Sequence, residues 1–217
     1  MPEVTADQQA RRDSGPLTDR GQARRRQLLD AARRVFERIG FTEARVADIA
    51  QEAGVSHGTF YTYFDTKEAA FVEVAREVIG AMHEDMAGTI PTSGLGDRIH
   101  DAIDRFLHAY RPNAAIIALM EQLALESDEM RDLRLELRGT FVLRTRRGIE
   151  RMQADGSARA DLDVEYTAEA LGAMLEYTCH LGYSLGREFE ERRLADALSA
   201  IWFATLHAEE APERPPS

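Results

Sequence analysis

The stretch from Val46 to Lys67, VADIAQEAGVSHGTFYTYFDTK, constrains this chain more tightly than any other. Val46, Ile49, Ala50 and Ala53 recur at the spacing of one helical face, and Gly54, which enters a left-handed turn without a Cβ penalty, ends that helix. Val55 is placed to plug the core beneath the turn. Ser56 is an N-cap whose side-chain oxygen can accept from an amide of the next turn. A second short helix is therefore predicted from about His57 to Tyr63. Two short helices joined by a tight turn containing glycine make a helix-turn-helix, whose second helix enters the major groove of DNA.

That second helix carries Phe60 and Phe64, four residues apart and expected in the core, and on its other sides His57, Gly58, Thr59, Thr62 and Tyr63. These small or flat polar side chains can reach phosphates or base edges without holding the backbone away. Gly58 costs about 1 kcal/mol of helix propensity relative to alanine, and close approach of the backbone to DNA would offset that cost. Tyr61 and Tyr63 flank the buried face. Asp65 or Thr66 then caps a new helix, with Glu68 in its first turn. Lys67, the only lysine in the chain, stands where a helix N-terminus would meet a phosphate.

The run Ile49-Ala50, Gly54-Val55, Phe60-Tyr61-Thr62-Tyr63-Phe64 and Lys67-Glu68 resembles the DNA-binding domain of the tetracycline-repressor (TetR) family of bacterial regulators, over about residues 22 to 75. The resemblance implies an all-α protein: an N-terminal three-helix helix-turn-helix DNA-binding domain, then a C-terminal helical ligand-binding and dimerisation domain. No cofactor and no metal site is expected. Arg45 stands where the family commonly has Thr or Ser, which caps the first helix of the motif and touches a phosphate. An arginine can reach the phosphate but cannot cap in the same way. The expected DNA-binding set is His57, Thr59, Thr62 and Tyr63 near the bases, with Gly58 beside them, and Arg45, Tyr61 and Lys67 on the backbone.

A net charge of −11 argues against DNA binding until its distribution is considered. Residues 1–70 hold 11 Lys/Arg and 11 Asp/Glu, whereas residues 71–217 hold 16 and 27 and carry the whole deficit. Only the N-terminal part tolerates a phosphate backbone, and Arg11, Arg12, Arg20, Arg24, Arg25 and Arg26 are concentrated there. No stretch approaches the ~18 uninterrupted apolar residues of a membrane span, and the start of the chain lacks a signal peptide's apolar run, so a cytoplasmic protein with no membrane role is expected. The single cysteine, Cys179, excludes an internal disulfide.

In order, residues 1–17 read as a flexible arm, 18–66 as the DNA-binding domain, 67–208 as the ligand-binding and dimerisation domain, and 209–217 as a disordered tail. Thr18 caps the first helix, and Gly40 ends it. A helix from Lys67 to about Ala87 joins the two parts, and 88–96 is a loop by composition. Further helices are predicted over about 97–110, 114–125, 128–154, 164–186 and 190–207, with Arg111-Pro112-Asn113 as a break.

The helix predicted from Val164 to Gly186 is apolar over more than the ~100° that one buried face needs, so it buries two. With the last helix it suggests a symmetric four-helix contact between two copies, formed by Leu171, Leu175, Leu181, Leu185, Leu194, Leu198, Ile201 and Trp202. The resemblance implies the same homodimer. Phe106, Tyr110, Met120, Leu123, Phe141, Met174 and Tyr177 are candidates to line a cavity for a small hydrophobic or amphipathic effector. The reading is a dimeric regulator of a near-palindromic double-stranded DNA operator, a repressor in most of the family, released by that effector. Two alternatives stay open. One is a metal sensor using His83, His100 and His108; the other is an enzyme built on Cys179-His180, adjacent residues that point about 100° apart on a helix.

Overall fold

The computed structural model describes residues 18–87 and 94–207. The expected arm with Arg11 and Arg12, the expected tail, and most of the expected loop lie outside the described residues. Within them the chain is helical, with no strand: α1 Asp19–Glu43, α2 Val46–Glu52, α3 His57–Tyr63, α4 Lys67–Asp85, α5 Leu95–Tyr110, α6 Ala114–Ala124, α7 Asp128–Ala154, α8 Val164–Cys179 and α9 Glu191–Leu206. No helix among the described residues is long and apolar enough to cross a membrane. The chain divides into two units between Val74 and Ala75, a point inside the continuous helix α4.

In the first unit the local rules act as the sequence suggests. Thr18 caps α1 by accepting from the Gly21 amide, and Gly40, at φ 78°, turns the chain out of the helix so that Phe41–Glu43 form a separate short turn. Gly54, at φ 62°, closes α2, and Ser56 caps α3 by accepting from the Thr59 amide. Thr66 caps α4 by accepting from the Ala69 amide. Leu28, Ala32 and Phe36 of α1 are buried together with Ile49, Phe60, Phe64 and Phe71. The Phe36, Phe41 and Phe71 rings meet with centroids 5.2 to 5.5 Å apart. Gln27 donates to the Ala53 carbonyl, and Arg34 and Arg38 pair with Glu52, so α1 holds the far end of α2.

In the second unit α9 packs on α5, and α7 packs on both α6 and α8. Two expectations change. Arg111-Pro112-Asn113 does not break the chain's path: it forms one 3-10 turn that leads into α6, with the buried Asn113 side chain donating to the Ala109 carbonyl at 2.8 Å. The helix expected over 164–186 is α-helical only to Cys179, where Pro-free residues His180–Ser184 widen into a π turn. There Leu185 N–H reaches the His180 carbonyl and Arg187 N–H the Leu181 carbonyl. Gly182 lets the Phe189 ring approach to 3.1 Å from where a Cβ would stand, and Gly186, at φ 72°, reverses the chain.

Candidate functional site

Helix α3 presents two unlike sides. Phe60 and Phe64 point into the core, whereas His57, Gly58, Tyr61 and Thr62 are exposed, and Thr59 and Tyr63 are half-buried at the edge. His57 and Tyr61 meet edge to face at 5.2 Å, which organises one end of this row. The Thr62 hydroxyl donates to the Gly58 carbonyl and so remains able to accept a hydrogen bond, and the Thr59 hydroxyl is held 2.8 Å from that of Ser56. A Cβ on Gly58 would meet only the Ser56 hydroxyl, at 3.9 Å, so nothing within the fold requires glycine there.

Beside this row lies a groove of about 410 Å³, lined by Arg20, Gly21 and Arg24 at the start of α1, by Gly54 and Val55, and by Thr59 and Tyr63 of α3. It brings the amide-bearing end of one helix and two guanidiniums to the edge of another, a geometry that suits phosphate. Arg20 and Arg24 stood out in sequence only as part of a charge run. Their position next to Tyr63 is a product of the fold.

Arg45 is exposed at the start of α2, where its amide donates to the Asp48 carboxylate at 2.9 Å. Asp48 thus supplies from inside the helix part of the cap that an arginine side chain, which has no acceptor, cannot. Lys67 requires a correction. Its ammonium is turned inward and donates to the carbonyls of Phe41 at 2.8 Å and Ala44 at 2.9 Å, so an internal anchor takes the place of the expected phosphate contact.

The second unit contains a cavity of about 270 Å³. The structure brings Phe106, Tyr110, Met120, Phe141 and Tyr177 into its lining. Leu123 is buried in the core and Met174 is half-buried; neither reaches the lining, because each lies on another side of its helix. The charged groups at the wall neutralise one another: Arg134 donates to Glu121 and Glu176, and Arg138 pairs with Glu176 at 3.3 Å. Burial raises the Tyr110 phenol well above its ordinary range, so it is a neutral donor. His180 lines the same cavity with its Nδ1 buried and without a hydrogen-bond partner among the described residues. A second cavity of about 260 Å³ shares Met86, Phe106 and Phe141 with the first. Its arginine-rich lining was not legible in sequence, where those arginines are scattered over two helices.

The residues expected at a subunit interface also need correction. Leu171, Leu175, Leu198 and Trp202 are buried in their own unit, since α8 presents them to α7 and α9 presents them to α5. Leu181 and Leu194 are half-buried; only Leu185 and Ile201 are exposed. The outward apolar faces are different. On α8 they are Tyr166, Ala170, Ala173 and Tyr177, the last two also lining the first cavity, and on α9 Ala197, Ala200, Ile201 and Ala204. Each stripe follows the spacing of one helical face.

His83, His100 and His108 do not converge. His83 bonds the Thr140 hydroxyl, His100 lies between Asp104 and Asp196, and among the described residues no three His, Cys, Asp or Glu side chains gather as a metal ion would need. Cys179 is fully buried, and burial pushes its thiol up to about 12, far from the thiolate a nucleophile requires.

Residues 28–74 match the family model for bacterial regulatory proteins of the tetR family. The transcriptional repressor KstR2 of Rhodococcus jostii is 32% identical over 65% of this chain and 71% of its own. The transcriptional regulator EthR of Mycobacterium tuberculosis is 26% identical over 87% of this chain and 89% of its own. Among solved structures, the fatty acid degradation regulator FadR from Bacillus halodurans superposes with a TM-score of 0.71 at 18% identity, over 82% of this chain and 94% of that one.

Proposed function

We propose that this chain, which belongs to the tetR family of bacterial regulatory proteins, acts in the cytoplasm as a homodimeric repressor that grips a near-palindromic DNA operator and releases it when a small hydrophobic or amphipathic molecule fills the first cavity. The observation that carries the reading is the exposed polar row of α3 lying beside the groove of Arg20 and Arg24. His57, Thr59, Thr62 and Tyr63 read bases, Gly58 allows the approach, and Tyr61, Arg45, Arg20 and Arg24 hold phosphates.

One helix as short as α3 touches few base pairs. Two of them, about 34 to 36 Å apart or a compatible multiple, read successive half-sites, and the outward stripes of α8 and α9 supply an apolar surface for pairing. The description of the Rhodococcus relative as a repressor supports the same sign of control here. For control by a ligand, an effector needs only about 1 to 3 kcal/mol of preference between the two dimer states to change DNA affinity roughly 5- to 150-fold. The first cavity, with its aromatic walls and its phenol and imidazole, suits a ligand that is mostly apolar.

The test is fluorescence anisotropy with duplexes tiled across the DNA flanking the gene, at low and high salt, beside a Tyr63→Ala, Arg24→Ala double variant. Tight binding to one near-palindromic tile, weakened by salt and lost in the variant, is the expected result. Failure to bind even a pool of randomised sites would end the DNA-reading claim. A lipophilic library in which no compound changes operator affinity would end the claim of ligand control.

A further inference from the structure

The wall shared by the two cavities separates unlike interiors. In the first, arginine and glutamate neutralise each other. In the second, Arg98, Arg105, Arg144 and Arg151 stand over an apolar floor that includes Ile103 and Trp202, and Asp101 is the sole carboxylate in the lining among the described residues. Asp101 pairs with Arg105 at 2.8 Å, and Asp155 lies 3.8 Å from Arg98. Neither Arg144 nor Arg151 has a carboxylate partner among the described residues, although the chain as a whole carries −11. The lining thus carries a surplus of positive charge in a chain whose net charge is −11.

What the guanidiniums touch instead is informative. Arg144 donates to the carbonyl of Met86, and Arg105 reaches that of Ala87 at 3.4 Å. Those residues follow Asp85, the last of α4. Helix α4 is thus tied at both ends, by the Lys67 ammonium at its start and by two arginines beyond its end. Burial lowers the Arg144 guanidinium below its ordinary range, and the neighbouring charges of Arg105 and Arg151 add to the effect. The Trp202 indole N–H, in the same lining and on a side chain 8% exposed, has no hydrogen-bond partner among the described residues. Guanidinium planes match carboxylate and phosphate oxygens two N–H groups at a time, and a buried donor without a partner favours any ligand that supplies an acceptor.

We propose that the effector is an anionic amphiphile, whose carboxylate or phosphate head seats among Arg98, Arg105, Arg144 and Arg151 while its hydrocarbon part lies along the wall of Phe106 and Phe141. The head draws Arg144 and Arg105 off the carbonyls of Met86 and Ala87 and so frees the end of α4. This rests on the reading of the chain as ligand-controlled, extends the bound molecule from the first cavity past the Phe106 and Phe141 wall into the second, and names the ligand's class and the contact it breaks.

Trp202 is the only tryptophan in the chain and lines the cavity, so its emission reports occupancy directly. The full chain is titrated with decanoate, decyl phosphate, decanol and decyltrimethylammonium, alone and as an Arg144→Gln, Arg151→Gln double variant. At least one of the two acids is expected to shift the emission at concentrations about tenfold or more below those decanol needs, consistent with loss of charge-assisted hydrogen bonds in the neutral probe. Which acid does so identifies the head group. The double variant should lose most of the preference for the acid over decanol, with Arg98 and Arg105 left to supply the rest, and in the wild type that preference should shrink at high salt, a readout that holds even if the variant folds poorly. Equal binding of decanol and both acids, a preference that salt leaves unchanged, or no response to either acid would overturn the proposal. A neutral lipophile that releases the operator would overturn the anionic head while leaving ligand control standing.

Discussion

The Lys67 ammonium lies 2.8 Å from the carbonyl oxygen of Phe41 and 4.2 Å from the centre of the same residue's ring. Gly40 makes this possible: its positive φ takes Phe41 out of α1, so the carbonyls of Phe41 and Ala44 turn to the start of α4. An ammonium, a compact donor of three hydrogen bonds, can serve two converging carbonyls and a ring face at once; a planar guanidinium is less suited to that arrangement.

Lys67→Met should therefore lower the unfolding free energy of the first unit by about 2 to 3 kcal/mol, since both carbonyls lose a charged donor. Lys67→Arg should recover only part of it. Urea denaturation checks this, and a Lys67→Met midpoint equal to wild type would contradict the anchor.

At the DNA face, Arg20→Gln and Arg24→Gln should each weaken binding to all sequences alike and reduce the slope of log affinity against log salt by about 1. Thr62→Val or His57→Ala should instead relax preference at particular base pairs, by about 1 to 3 kcal/mol each, with the salt slope unchanged. Binding to operator and scrambled duplexes over a salt series separates the two patterns. If His57→Ala altered only the salt slope, its assignment to bases would be wrong.

Two leucine-like positions on α9 should behave oppositely. Ile201 is 49% exposed and Leu198 only 4%. Ile201→Glu should leave the melting temperature of the subunit nearly unchanged but yield a monomer with weak operator binding. Leu198→Ala should cost about 2 to 5 kcal/mol of stability and keep the dimer mass, because it opens a hole in the subunit's own core. Light scattering with thermal melts gives both readouts; a dimeric Ile201→Glu protein would remove α9's outward stripe from the interface.

Cys179 and Tyr183 are both pushed up to about 12, mainly by burial. For Cys179 the folded state holds its proton more tightly than the unfolded chain, whose thiol has the usual value of 9.0. Stability from this group is complete below pH 9 and is lost as pH rises towards 12, at no more than about 1.4 kcal/mol per pH unit. Cys179→Ala should flatten that alkaline decline. The native thiol should also resist a disulfide reagent at pH 8 until denaturant is added, and rapid labelling of the folded protein would refute its burial.

The helix-turn-helix was legible in sequence because its determinants are local. Gly54, Ser56 and the spacing of Ile49, Phe60 and Phe64 act over a few residues, and the helices begin and end where those residues require. The exposed row of α3 followed from the same periodicity. What α8 and α9 do with their apolar surface did not: Leu171 and Tyr177 are both apolar and on one helix, yet only packing against α7 decides which is core and which faces outward. Nor could spacing reveal that Lys67 meets a carbonyl 26 residues back, or that Arg98 and Arg105 of α5 gather with Arg144 and Arg151 of α7. The sequence by itself determined the helices and caps of the first unit and its exposed reading face, since these arise from interactions within a turn or two of the backbone. The tertiary structure alone decided the anchors of α4, the two cavities and the outward stripes, since each depends on which faces of distant helices exclude water together.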